Sequence, residues 1–314
     1  MRILRSFLMV GAAIATMASA ATPKPIDLPG DQLHPESFSI APDGTAYVGS
    51  MSGGVVRVSL KTGKAEQWIA PGAYGSGALF GVVADPRNKV VWTCTNDFSA
   101  RGVTVAGSEP GSVLKGFDIK SGAGKISLKL PGEHPVCNDV AIAKDGSIYV
   151  ANTGAPEILR WKPGAAALEV WATDPILGAA GLDGLAFGAD GTLIVNNVRT
   201  GELFKVPMAA DGSAGKVTKL TLSRPLVSPD GMRAAGGMDF VLAEGQGRVT
   251  KVTVKGDAAE VTTLAEGISE PTAVGLYGGY VWYSQGMLSY LFSPAKKGQT
   301  PPLPYHLTPV AWPK

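Results

Sequence analysis

The segment from Asn138 to Asn152 reads NDVAIAKDGSIYVAN. An apolar run, a Lys-Asp-Gly turn and a second β-rich run form the pattern of a hairpin. The pattern recurs as ESFSIAPDGTAYVGS from Glu36 and as DGLAFGADGTLIVNN from Asp183. DGMRAAGGMDFVLAEG from Asp230 is a further copy, with Gly236-Gly237 at its turn, and FGVVADPRNKVVWTCTN from Phe80 and PTAVGLYGGYVWYSQG from Pro271 bring the number to six. A third strand follows each hairpin: GGVVRVSL, SVLKGFDI, EILRWKP, GELFKVP, GRVTKVTV and LSYLFSP. Most units add a fourth, such as AEQWIA, LEVWAT, KVTKLTL and AEVTTLA. Four strands per unit at a period of about 45 residues predict an all-β chain, a six-bladed β-propeller with four-stranded blades. The sixth unit lacks a fourth strand of its own, so KPIDLP near Lys24 or PYHLTP near Tyr305 is expected to close the ring. A β-sandwich is the alternative, but it does not account for six copies in one register.

The first 20 residues have the form of a secretory signal. Arg2 and Arg5 precede the apolar FLMVGAAIATMA, and Ala18-Ser19-Ala20 supplies small residues for cleavage. The apolar run is short for a span of roughly 20 residues, and no later segment could cross a bilayer. The expectation is an exported protein, periplasmic or secreted, whose residues 21–314 form one domain. Without Arg2 and Arg5 the 28 basic residues become 26, against 26 acidic ones. With no basic run, nucleic acid is not an expected partner. Cys94 and Cys137 could form a disulfide in such a compartment or remain two buried thiols, and their spacing fits no zinc motif.

The Asp of each turn serves as a ruler. Seven residues before Asp43, Asp145 and Asp190 stand Glu36, Asn138 and Asp183, and seven before Gly237 stands Asp230. The first strand of each blade lines the central channel and all begin at one face, so these positions form a ring; Phe80 or Gly81 and Pro271 occupy it in the other two blades. Any one of the four could instead be a polar residue bonding nearby backbone at a strand start. Together, three carboxylates aimed at one axis repel strongly unless a cation neutralises them or some are protonated. All four donors are hard oxygens, with no His or Cys. That set suits Ca²⁺ first, Mg²⁺ or Mn²⁺ next, and disfavours zinc.

At these residues the sequence resembles the family of gluconolactonases, senescence marker protein and luciferin-regenerating enzyme, six-bladed calcium-dependent lactonases. The resemblance is most specific at HPES around Glu36, CNDV around Asn138, GLDGL around Asp183 and SPDGM around Asp230. It implies Glu, Asn, Asn and Asp as metal ligands; here the third is Asp183, which adds a negative charge. The gluconolactonase pattern has Gly after Asn-Asp and often Arg two residues before the Asn. Val140 and Val136 stand there in this chain, which leaves room for a less polar lactone or ester. In paraoxonase-like relatives an Asp at the position of Asp139 serves a second, structural calcium; a strand-end hydrogen bond is the other role open to Asp139.

The resemblance implies hydrolysis of a cyclic ester, with Asp230 taking the proton of the attacking water. His134, four residues before Asn138 and expected at the same rim, is the other candidate base by its position and imidazole chemistry. His34, two residues before Glu36, has a similar claim. Asn96, Asp97, Asn152, Asn197, Arg199, Glu244 and Gln285 fall in loops expected at the mouth of the channel. No Gly-x-Ser-x-Gly elbow is present. A non-enzymatic propeller that binds a small ligand or a partner protein, and a strictosidine-synthase-like condensing activity, are the competing readings.

Overall fold

A computed structural model describes residues 22–313; the expected signal segment, residues 1–20, lies outside them. Six sheets, antiparallel but for one two-residue strand in blade 5, follow one another along the chain. Blade 1 consists of Pro35–Ile40, Thr45–Ser50, Val55–Ser59 and Ala65–Ile69. Blade 2 is Ala78–Asp85, Val90–Asn96, Ser112–Asp118 and Gly124–Lys129; blade 3 is Cys137–Ile142, Ile148–Asn152, Glu157–Trp161 and Glu169–Thr173. Blade 4 is Leu182–Phe187, Leu193–Asn197, Glu202–Val206 and Thr218–Lys219; blade 5 is Pro229–Gly236, Asp239–Glu244, Arg248–Lys255 and Ala258–Glu266. The six-bladed propeller read from the repeats is the fold of this chain.

Two details differ from expectation. In blade 6, LSYLFSP does not supply a third strand: Ser289–Phe292 is a short helix, and Tyr305–Ala311 pairs with Tyr280–Gln285 in its place. Ile26–Leu28 then pairs with Tyr305–Ala311 as the outermost strand, so both proposed closing segments are used. The segment KVTKLTL divides. Thr218–Lys219 stays in blade 4, while Thr221–Leu222 runs parallel to Ala258–Glu266 and makes blade 5 five-stranded.

The turns explain why the repeat is so regular. Asp43, Asp145 and Asp190 each accept the backbone N–H two residues on, at 2.8–2.9 Å. Gly44, Gly146 and Gly191 follow at φ 87–88°, a conformation that costs glycine little. Strand alternation then sends successive side chains to opposite neighbours. In blade 3, Ile148 and Val150 pack towards blade 2 with Trp92 and Leu114, while Tyr149 and Ala151 pack towards blade 4 with Leu193 and Phe204. Comparable apolar clusters fill the other blade interfaces. Strands buried on both faces read as near-continuous apolar runs for this reason.

Cys94 and Cys137 are joined in a disulfide that ties the second strand of blade 2 to the first strand of blade 3. By loop-closure entropy, closing 43 residues stabilises the fold by about 4 kcal/mol. Equilibrium urea unfolding with and without a strong reductant should differ by that amount.

Candidate functional site

Each of the six first strands carries a β-bulge near its start, at one structural level. Pairing steps from Pro35 to Phe38, Leu79 to Val82, Cys137 to Val140, Leu182 to Leu185 and Pro229 to Met232, in each case three residues against two on the neighbouring strand. Blade 6 has a smaller irregularity between Pro271 and Ala273. A bulge re-aims side chains that would otherwise follow the pleat. Its first residue is Glu36, Phe80, Asn138, Asp183 or Asp230 in blades 1 to 5, which puts the four ligand candidates in one register around the channel.

The second bulge residue is glycine in blades 2, 4 and 5, where neighbouring blades come close. A Cβ on Gly81 would stand 2.4 Å from the Asn138 carbonyl oxygen, and one on Gly184 would stand 2.4 Å from that of Asp230. Blade 3 has Asp139 there instead. Its Oδ1 accepts the Val140 N–H at 2.9 Å, and its Oδ2 accepts from Nη1 of Arg233 at 2.6 Å. Arg233, on the first strand of blade 5, crosses the channel and also donates from Nη2 to Ser37 Oγ and the carbonyls of Phe38 and Val82, at 3.2–3.3 Å. One guanidinium thus joins blade 5 to blades 1, 2 and 3. Of the two roles open to Asp139, the strand-end hydrogen bond is present, to the Val140 N–H, and the ion pair with Arg233 accompanies it.

Glu36, Asn138 and Asp183 are buried, and Asp230 is partly exposed. Asn138 Nδ2 donates to Asp183 Oδ2 at 2.9 Å, and Asp230 Oδ1 accepts the Gly231 N–H at 2.8 Å. Glu36 Oε2 and Asp183 Oδ1 are buried without any partner. Burial, first, and neighbouring carboxylates, second, hold Glu36, Asp183 and Asp230 well above the usual carboxylate range. Arg233 offsets part of this at Glu36. Among the described residues no group of three or more His, Cys, Asp or Glu side chains is already gathered so as to hold a metal ion. The ring contains three carboxylates and an amide, and the amide is bonded to one of the carboxylates. Its chemistry nevertheless fits a hard cation: all donors are oxygen-bearing, two carboxylate oxygens are orphaned, and the negative charges raise one another's proton affinity.

A cavity of about 640 Å³ borders this ring at Asn138 and Phe80, while Glu36, Asp183 and Asp230 do not line it. Its wall includes Phe98, Val136, Arg199 and Phe292, and His134 stands at its rim. The His134 side chain is 88% exposed and approaches Glu133 at 3.8 Å. His34 is not part of the cavity. It is buried with Nδ1 against the Gly286 carbonyl at 3.1 Å and its ring edge-on to Tyr305, so packing accounts for it.

The expected mouth residues divide. Asp97 and Arg199 line the cavity. Asn152, Asn197, Glu244 and Gln285 end second strands and brace the loops that enter the ring, through Val136 N–H, the Ala180 carbonyl, Val227 N–H and the Ser269 carbonyl. Asn96 bonds both the N–H and the carbonyl of Cys137, immediately before Asn138. These five hold the loop backbone and do not line the cavity.

A family model described as strictosidine synthase-like, N-terminal, matches residues 22–58, a stretch that includes Glu36. No curated protein matches the chain in sequence. Solved structures match it in shape. Luciferin-regenerating enzyme aligns at TM-score 0.65 and 11% identity, over 89% of this chain and 91% of its own. A putative gluconolactonase aligns at 0.64 and 13%, over 93% of each chain. The PQQ-bound aldose sugar dehydrogenase of Streptomyces coelicolor aligns at 0.62 and 17%, over 93% of this chain and 97% of its own. The likeness to gluconolactonases and luciferin-regenerating enzyme read from the motif residues is met, at the level of the fold, by these neighbours.

Proposed function

We propose that this protein is a metal-dependent hydrolase of a lactone or related ester, with its divalent ion, Ca²⁺ by donor chemistry, held by Glu36, Asn138, Asp183 and Asp230. The observation that carries the reading is a ring of oxygen donors, two of them orphaned and buried, that meets a cavity large enough for a small molecule at Asn138. When bound, such an ion supplies electrophilic polarisation of a carbonyl oxygen. Asp230, the ring carboxylate with access to solvent, takes the proton from water; His134 at the rim is the second candidate. The loop braces around Asn138 and Asp183 keep the donors in place before a ligand arrives, which lowers the cost of reorganisation. A disulfide beside the ring agrees with an exported site of action.

The strictosidine synthase-like match over residues 22–58 favours a second reading, a condensing activity at the same channel. A panel of lactones and esters, assayed with added calcium and then with chelator, separates the two. Hydrolysis that falls at least about 100-fold in chelator and returns with calcium is the expected result. Hydrolysis unaffected by chelator would remove the metal from the mechanism, and condensation without hydrolysis would favour the second reading.

A further inference from the structure

We propose that Phe80, Phe98 and Phe292 form a wall that selects substrates with an apolar alkyl or aryl substituent over polyhydroxylated ones. The inference names the substrate class of the same site and rests on the hydrolase reading for the bond that is broken, though not for the binding.

Phe80 takes the first bulge position in blade 2, where blades 1, 3, 4 and 5 carry Glu36, Asn138, Asp183 and Asp230. The aromatic wall therefore begins at the level of the ring. Phe98 lies 5.1 Å from Phe80 between ring centroids, and Phe292 lies 6.2 Å from Phe98, so the three rings run outwards from the donors to the mouth. The Arg101 guanidinium stacks over Phe98 at 5.2 Å.

Phe292 is 37% exposed although it is large and apolar, and its exposed surface borders the cavity. It sits on the helix Ser289–Phe292, which lies between the second and third strands of blade 6. Glu270 accepts the Ser289 N–H at 2.9 Å and pairs with Lys296 at 3.3 Å, so the helix that presents Phe292 is anchored at both ends.

The polar groups deeper in the cavity are already committed. Ser112 Oγ donates within the protein, being close to Asn96 Oδ1 and the Pro135 carbonyl; Thr153 Oγ1 donates to the Leu182 carbonyl, and the Asn138 amide donates to Asp183. A sugar-like ligand would lose water there without gaining equivalent hydrogen bonds, whereas an apolar chain loses little. At the rim Arg101 and Arg199 are balanced by Asp97 and Glu133, which leaves no net charge to demand a charged ligand.

The test uses purified protein with calcium and two γ-lactams, one bearing a hexyl chain and one carrying hydroxyl groups, as analogues that resist hydrolysis. Calorimetry should give tighter binding of the hexyl lactam, by about fourfold for each methylene that reaches the wall, with a negative heat-capacity change. Phe292→Ser, at an exposed position, should weaken hexyl-lactam binding about tenfold, and Phe292→Leu should restore most of it. Equal or tighter binding of the hydroxylated lactam, or no effect of Phe292→Ser, overturns the wall. Selective hexyl-lactam binding without turnover of any lactone would support the wall while removing the hydrolase reading.

Discussion

Glu36→Gln and Asp230→Asn, made singly, are expected to lower lactone turnover by about 1000-fold or more and divalent-ion affinity by at least about 100-fold. Each should also make the metal-free protein more resistant to unfolding. The two effects have one origin. Glu36, Asp183 and Asp230 face one channel, and desolvation and mutual repulsion oppose their ionisation. An ion turns this penalty into affinity, and removing one carboxylate relieves the penalty while dismantling the donor set. Calorimetric calcium titration, lactone assays and urea unfolding in chelator would measure the three quantities. Full turnover by either variant in chelator would sink the metal mechanism. Unchanged metal-free stability would mean that the carboxylates do not strain the fold.

The sign of the pH dependence follows from the same shifts. Carboxylates whose folded-state pKa is raised bind protons more tightly folded than unfolded. Their contribution to stability is complete below the unfolded values, about 4, and is lost as pH rises through the raised folded values. Metal-free wild-type protein should therefore weaken as pH rises from about 4, and either variant should show a shallower slope.

The ring was legible because two local features repeat without drift. The Asx turn and its following glycine fix one end of each hairpin, and a bulge at the same level re-aims the residue seven positions earlier. Counting along the chain could not show what lies across it. Counting three residues on from the ring gives Ser39, Ala141, Ala186 and Arg233, and the long cation among small residues was the available signal for a side chain that crosses the channel. His34 and His134 have similar sequence settings, each before a proline and close to a ring residue. One turns into the core at φ 43° and the other stays at the rim, a difference set by packing beyond the strand. The helix at Ser289–Phe292 resembles a strand in sequence because a short apolar run does not distinguish the two. The five loop braces carry the residue types of a binding mouth and differ only in already having backbone partners.

Arg233→Met is expected to cost about 3–5 kcal/mol of stability, the usual result of removing one partner from a buried ion pair. Asp139 is 2% exposed and the Arg233 side chain 15%, so little water can replace the lost guanidinium. The loss would also free contacts to Ser37 and to the Phe38 and Val82 carbonyls, loosening four blades where they converge. Arg233→Met/Asp139→Asn should recover much of the loss, because the second change removes the stranded charge while an amide oxygen can still accept the Val140 N–H. A double-mutant cycle by urea unfolding measures the coupling. A cost below about 1 kcal/mol for Arg233→Met would place the pair with exposed ion pairs and deny it a structural role. Arg233 also draws the Glu36 carboxyl back towards its ordinary range. Arg233→Met should therefore raise the proton affinity of Glu36 and make calcium binding by the single variant weaken at a higher pH than in wild type. Competition between the guanidinium and the ion for the same field would give the opposite result, tighter calcium binding in Arg233→Met, and the titration distinguishes the two.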